Sequence, residues 1–273
     1  DAASRRALES GDAHALPLRQ ARPAMTDPRA LAAARNNALW CDALCAAHGR
    51  PGDLGDALWT NLYDTPPFYP NVVTLVPELP EALVHGALLV LAGRGLAGSL
   101  GVKDSFDALE LAPLGFRTLV TGRWLWRDAS LPPPPSLPWT PVRDEAALGR
   151  WERAWREAQG DGLACWAQPV FERSLLRDPD VRFLEAHRGG QPMAGAVASR
   201  GGGAVGISNL FACDEAVRGV AAGCLAAAMA AFPGLPLTGW EAAPELSGDP
   251  SLGFEAVGWL RVWVSRDLGP AAP

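Results

Sequence analysis

Apolar residues mark out a helix over positions 28–48, where Leu31, Ala34, Leu39, Leu44 and Cys45 recur at three- and four-residue spacings. Thr26-Asp27-Pro28 gives it a start, a capping side chain before a proline whose missing N–H a first turn does not need. Gly49 and Pro51 end it. Continuous apolar runs at 71–76 and 99–106 read as strands on either side of a helix at 78–92. A short helix at 108–112 and the tripeptide Leu114-Gly115-Phe116 lead into a further strand that ends at Trp124-Leu125-Trp126.

Beyond a proline cluster, residues 140–143 read as a short strand. Residues 144–158 form a helix, with Leu148, Trp151, Trp155 and Ala158 on one face. A second helix is expected at 167–176. A hairpin follows over 181–186 and 192–199, joined by His187-Arg188-Gly189-Gly190-Gln191. Gly201-Gly202-Gly203 turns into a strand at 204–212. A helix at 218–232, a strand at 235–241, a poor short helix at 244–252 and a strand opened by Leu252-Gly253-Phe254 complete the order.

The two halves thus repeat one order, strand–helix–strand–short helix–Gly-Phe–strand, which suggests an internal duplication. Pro132 to Pro135, with Pro138 beyond, is a stiff linker between them. The expected organisation is an arm at 1–24, an N-terminal domain at 25–130, a linker at 131–138 and a C-terminal domain at 139–266. The fold class is α/β, a mixed sheet with helices on both faces.

The chain has 273 residues, a hydrophobic fraction of 48% and a formal net charge of -6. That balance argues against an electrostatic nucleic-acid binder. Lys103 is the only lysine, and the Arg-, Ala-, Gly- and Pro-rich composition suggests GC-rich bacterial coding. Five cysteines without tight spacing read as reduced thiols. Cys41, Cys45 and His48 share a helix, but with no fourth ligand they read as core, and no metal is expected. No apolar core follows Arg5 and Arg6, and no run is long enough to span a bilayer, so a cytoplasmic protein is expected.

One stretch points to a ligand. Arg218-Gly219-Val220-Ala221-Ala222-Gly223 lies between the 204–212 strand and an alanine-rich helix, where backbone N–H groups converge on an anion. With its element order and Leu252-Gly253-Phe254-Glu255-Ala256-Val257-Gly258, the C-terminal half resembles the GNAT superfamily of acyl-CoA-dependent N-acyltransferases. Arg218 and Gly223 stand at the ends of the signature turn, and Ala221 replaces its middle glycine. The hairpin with Gly195 and Ala196 after Gln191-Pro192 looks like the family's second and third strands. The N-terminal half looks like a degraded second unit that has lost its earlier strands. Pro77, Glu78 and Pro80 stand where its anion turn would be, so it is not expected to bind CoA.

The resemblance implies acetyl-CoA as co-substrate and a small-molecule amine or peptide as acceptor, with neither nucleic acid nor membrane as partner. Residues 218–223 would cradle the pyrophosphate, and the backbone of Leu210, Phe211 and Ala212 would face the pantetheine arm. The tyrosine the family often carries four residues before the Gly-Phe glycine is replaced by Asp249, and its frequent asparagine by Ala243. Glu241 is the candidate base, and Asp249 a candidate acid that is a poor donor at neutral pH. Trp59, Tyr63, Phe68 and Tyr69 either line an acceptor pocket between the halves or pack across their interface. A CoA-binding module without transferase activity and an aminoacyl-tRNA-dependent transferase are the alternatives.

Overall fold

The computed structural model describes residues 26–130, 137–159, 168–188, 191–213, 220–242 and 246–265. The arm at 1–24, Pro132 to Pro135, Cys165, Arg218, Gly219, Ala243 and residue 266 lie outside them.

The N-terminal half runs α1 (Pro28–Ala47), β1 (Asp53–Leu54), β2 (Leu58–Thr60), β3 (Val72–Thr74), α2 (Glu81–Ala92), β4 (Gly101–Asp104) and β5 (Phe116–Arg127). The C-terminal half runs β6 (Trp139–Pro141), α3 (Glu145–Gln159), β7 (Val181–Arg188), β8 (Gln191–Gly201), β9 (Ala204–Ala212), α4 (Val220–Ala231), β10 (Leu237–Glu241) and β11 (Glu255–Ser265). The expected start and stop of α1 hold. The Asp27 side chain accepts from Arg29 N–H at 2.8 Å, and Gly49 adopts a left-handed φ of 72° beyond the last turn.

All eleven strands form one mixed sheet in the order β1-β2-β3-β4-β11-β5-β10-β9-β8-β7-β6. Side chains alternate between its faces. Val73, Trp59 and Val197 turn toward α1 and α3, whereas Val72, Val102, Ala196 and Ala198 turn toward α2 and α4. Covered on both sides, Val72-Val73-Thr74 is buried throughout. No helix among the described residues is long and apolar enough to cross a membrane.

Three expectations need correction. The N-terminal half keeps two strands ahead of β3, one fewer than the C-terminal half has ahead of β9. β1 and β2 are two- and three-residue pieces that pair antiparallel ahead of β3, too short to show a period. The short helix expected at 108–112 is a 3-10 turn at Ala112–Leu114, placed there by Gly115 at φ 85°. The described part of 167–176 holds no α-helix, only a 3-10 turn at Arg173–Arg177. Pro169 offers no N–H, and the N–H groups of Val170 and Phe171 go instead to the Glu152 carboxylate at 2.8 and 3.2 Å.

The repeated order extends to local geometry. Gly115 and Gly253 each follow a one-turn 3-10 helix in the left-handed conformation, and each launches a long strand. Those strands change places. β11 lies between β4 and β5, and β5 lies between β11 and β10. Each half therefore completes the sheet of the other.

Candidate functional site

Two parallel strand pairs offer a cleft, β3 with β4 and β9 with β10. The first is sewn shut just past its two paired positions, where Ser105 N–H donates to Thr74 Oγ1 at 2.8 Å and Trp124 Nε1 donates to Ser105 O at 2.7 Å. The second opens. β10 pairs with β9 only at Val205↔Leu237 and Gly206↔Thr238. Beyond these, β9 carries a bulge. Val197 pairs with Ser208 and Gly195 with Phe211, so Asn209 and Leu210 both stand opposite Ala196. Asn209 takes a φ of 53° there, and β9 leaves β10 with its edge unpaired.

The face of this cleft toward α1 is closed. Asn36, Trp40, Trp124, Trp240, Ser208 and Gly239 surround a cavity of about 10 Å³, room for a single water. The opposite face carries α4, described from Val220 onward. Val220, Ala221 and Ala222 carry only small apolar side chains in its first described residues. Gly223 has a second duty. A Cβ on it would sit 2.1 Å from Nε1 of Trp139, so its lack of a side chain lets β6 pack against α4. The side chains of Leu210 and Phe211 belong to the core, Phe211 edge-on to Trp151 at 5.2 Å, which leaves their backbone for the cleft.

Glu241 ends β10 and is buried. Its Oε2 accepts from the N–H groups of Leu246 (2.8 Å) and Ser247 (3.3 Å), and its Oε1 from the Ser247 hydroxyl and from Arg123 (3.4 Å). Burial works against its charge, but the Ser247 hydroxyl, the two N–H groups and Arg123 outweigh it and hold the carboxyl below its ordinary pKa. Both oxygens of the expected base are thus committed to the 246–247 turn. Asp249 is exposed. It accepts from the N–H and hydroxyl of Ser251, which lower its pKa, so it is ionised at neutral pH and holds no proton to give. Both expected catalytic carboxylates thus accept hydrogen bonds from the residues that follow β10.

Of the four aromatics, Trp59 is wholly buried and donates to Asp42 at 3.0 Å. Tyr63 and Phe68 are exposed, with Phe68 at φ 71° and edge-on to Trp155. Tyr69 reaches furthest. Its hydroxyl accepts from Nδ2 of Asn209 at 3.2 Å, tying a loop of the N-terminal half to the bulge in β9. Two non-glycine residues with left-handed backbone, Phe68 and Asn209, flank this contact, and such conformations persist only where the surroundings enforce them. Sequence reasoning noted Tyr69 but not its partner, because a bulge leaves no periodic signal. Cys41 and Cys45 are core thiols, pushed up to about 11 and about 12 by burial, and His48 Nε2 meets Val170 O at 2.9 Å. His187 Nε2 lies 2.9 Å from Glu185 Oε1.

No family model matches the sequence, and no curated protein does. Solved structures do. A protein described as a GCN5-related N-acetyltransferase from Kribbella flavida aligns over 90% of this chain and 98% of its own, with TM-score 0.56 and 16% identity. One described as an acetyltransferase from the GNAT family, from Novosphingobium aromaticivorans, aligns over 88% and 99%, with TM-score 0.54 and 16% identity. At such identity the likeness establishes the fold. The chain has the GNAT fold, and the likeness runs through both halves.

Proposed function

We propose that this chain is an acyl-CoA-dependent N-acetyltransferase that binds acetyl-CoA once, in the cleft between β9 and β10. The observation that carries the proposal is the asymmetry of the two clefts. One is stitched shut at Thr74 and Ser105. The other has an unpaired β9 edge, followed in sequence by a helix whose described residues begin with the small side chains of Val220 to Gly223.

In that cleft the free N–H groups of β9 would hold the pantetheine arm and polarise the thioester carbonyl, and those of Val220 to Ala222 would meet the pyrophosphate. The acceptor, a small-molecule amine or a peptide, attacks directly. A C–N bond forms, the C–S bond breaks and the thiolate leaves. With Glu241 and Asp249 committed to turns, catalysis rests on positioning and a polarised carbonyl, and water carries the protons. Cytoplasm is the compartment proposed, and the described cysteines are unpaired, as reduced thiols there would be.

Gly223 is a poor place to test this, because any side chain there also meets Trp139. Ala222 is half-buried in the first turn of α4, where a carboxylate favours the helix but repels phosphate. Ala222→Glu is expected to keep the fold and to weaken acetyl-CoA binding at least tenfold by calorimetry. Unchanged affinity would remove α4 from the site. Asp249 favours a second function, a CoA-binding module that transfers nothing. Thiol release across a panel of amines decides between them, since such a module binds acetyl-CoA and releases no thiol.

A further inference from the structure

The ends of β6 and β7 away from the β9–β10 cleft carry a second concavity. It has a volume of about 340 Å³, within the range of small-molecule sites. Its floor is apolar, formed by the buried Val142, Val181 and Phe183. Its rim is cationic, with Arg143, Arg177 and Arg182 set against the single carboxylate of Asp178. In a chain of net charge -6 this is a local reversal of sign.

The three guanidinium groups are not equivalent. Arg182 is held in place, donating to Asp178 O at 3.0 Å and Val181 O at 2.6 Å while its guanidinium stacks 5.5 Å from the Phe232 ring. Asp178 is partly spent, since Oδ1 accepts from Asp180 N–H at 2.8 Å. Arg143 and Arg177 are exposed and make no hydrogen bond or ion pair with any described residue. Neighbouring arginines on this surface are paired, Arg173 with Glu145 and Arg200 with Asp180. Arg143 and Arg177, which line the concavity, have no such partner among the described residues.

We propose that this concavity binds a small polyanion with a carbon body, a phosphate monoester or a polycarboxylate. Arg143 and Arg177 clasp the anionic groups, and the floor of Val142, Val181 and Phe183 takes the carbon skeleton. The site is separate from the proposed CoA cleft. Val181 pairs with Ser199, which pairs with Gly206 where β9 begins, whereas the cleft opens toward Ala212, level with Ala194 and Ala186. The length of β7 lies between them.

The test uses the full chain carrying Ala222→Glu, so that a phosphate probe has no helix N-terminus in the other cleft to bind. Glucose 6-phosphate, citrate and inorganic phosphate are titrated by calorimetry and by thermal melting, at low and at moderate salt. Binding of glucose 6-phosphate or citrate is expected, weakening with salt. A further Arg143→Ala/Arg177→Ala pair should weaken it at least tenfold, with the ligand-free melting temperature unchanged because both side chains are exposed. Binding of inorganic phosphate alone would show the apolar floor to be idle and overturn the assigned ligand class. Absence of binding by all three probes, or equal binding by the double variant, overturns the site. None of these outcomes depends on whether acetyl-CoA binds.

Discussion

Lys103 is the single lysine of the chain, and the fold buries it. Its ammonium group donates to Asn37 Oδ1 at 3.0 Å and lies 4.8 Å from the Trp240 ring centroid and 5.8 Å from that of Trp124. No described carboxylate pairs with it, and burial lowers its pKa to about 8. Unfolded, the same amine titrates near its ordinary 10.5. Between those values the unfolded chain binds the extra proton, so this group's penalty on folding is full below about pH 8 and fades as pH rises toward 10.5. Lys103→Met keeps the stem and removes the charge. It is expected to stabilise the protein by about 1–3 kcal/mol at pH 7, with the gain over wild type vanishing near pH 10.5 in urea melts. A constant gain across that range would mean that folding leaves the lysine's pKa at its ordinary value. Glu241 has the opposite sign. Its folded pKa is depressed, so its contribution is present above its ordinary value of 4.5 and is lost as pH falls through the lower folded value. Glu241→Gln is expected to cost about 1–3 kcal/mol at pH 7, and to leave a variant less sensitive to acid than wild type. Full stability with lost thiol release would instead restore Glu241 as the base.

At the scale of elements, α1 is the N-terminal helix that holds the C-terminal half. Asn36 Nδ2 lies within hydrogen-bonding distance of Ser199 O (2.9 Å), Gly201 O (3.1 Å) and Ala204 O (3.3 Å), spanning the turn between β8 and β9. Gly206 makes room for it, since a Cβ there would stand 2.0 Å from Asn36 Oδ1. Asn36→Ala strands buried carbonyls and is expected to cost about 2–4 kcal/mol. A chemical-denaturation loss under 0.5 kcal/mol would show the contact to be dispensable. The helix itself was legible in the sequence, through Asp27-Pro28 and Gly49, but its partner was not, because a contact across 160-odd positions leaves no spacing to read. The same divide runs through the other elements. The apolar stripe of α3 is strong and its start follows the pattern, with Asp144 capping Ala147 N–H at 2.8 Å. β1 and β2 are too short to alternate, and the expected 167–176 helix lost its N–H groups to Glu152. At the candidate site, the α4 helix was legible as a string of small residues. The bulge at Asn209 that opens the cleft was not, since it comes from tertiary pairing with β8.

Over the whole molecule, the sheet runs in chain order inward from each end, through β1 to β4 on one side and β6 to β10 on the other, with β11 and β5 exchanged between them. The repeated element order and the proline-rich stretch suggested two domains joined by a linker. The sheet joins them far more tightly. β5 and β11 pair from Glu255↔Trp126 to Ser265↔Phe116, and Trp263 of the last strand completes the core around Leu58, Val72 and Phe116. Conversely, Leu125 of β5 belongs to the core between β9, β10 and α4. Cutting at the linker would take from each half the strand that fills the other's sheet. In the N-terminal piece β4 and β5 would lack the strand between them, and in the C-terminal piece β10 and β11 would. Exposed apolar surface and open strand edges would follow on both. We therefore expect fragments 26–130 and 137–265 to show no cooperative thermal transition when separate. Mixed, they should regain the circular-dichroism spectrum and single urea transition of the intact chain, reported alike by tryptophan fluorescence. Cooperative unfolding of either fragment alone would show that its own strands can close the gap, and that the exchange at the centre of the sheet contributes little to holding the halves together.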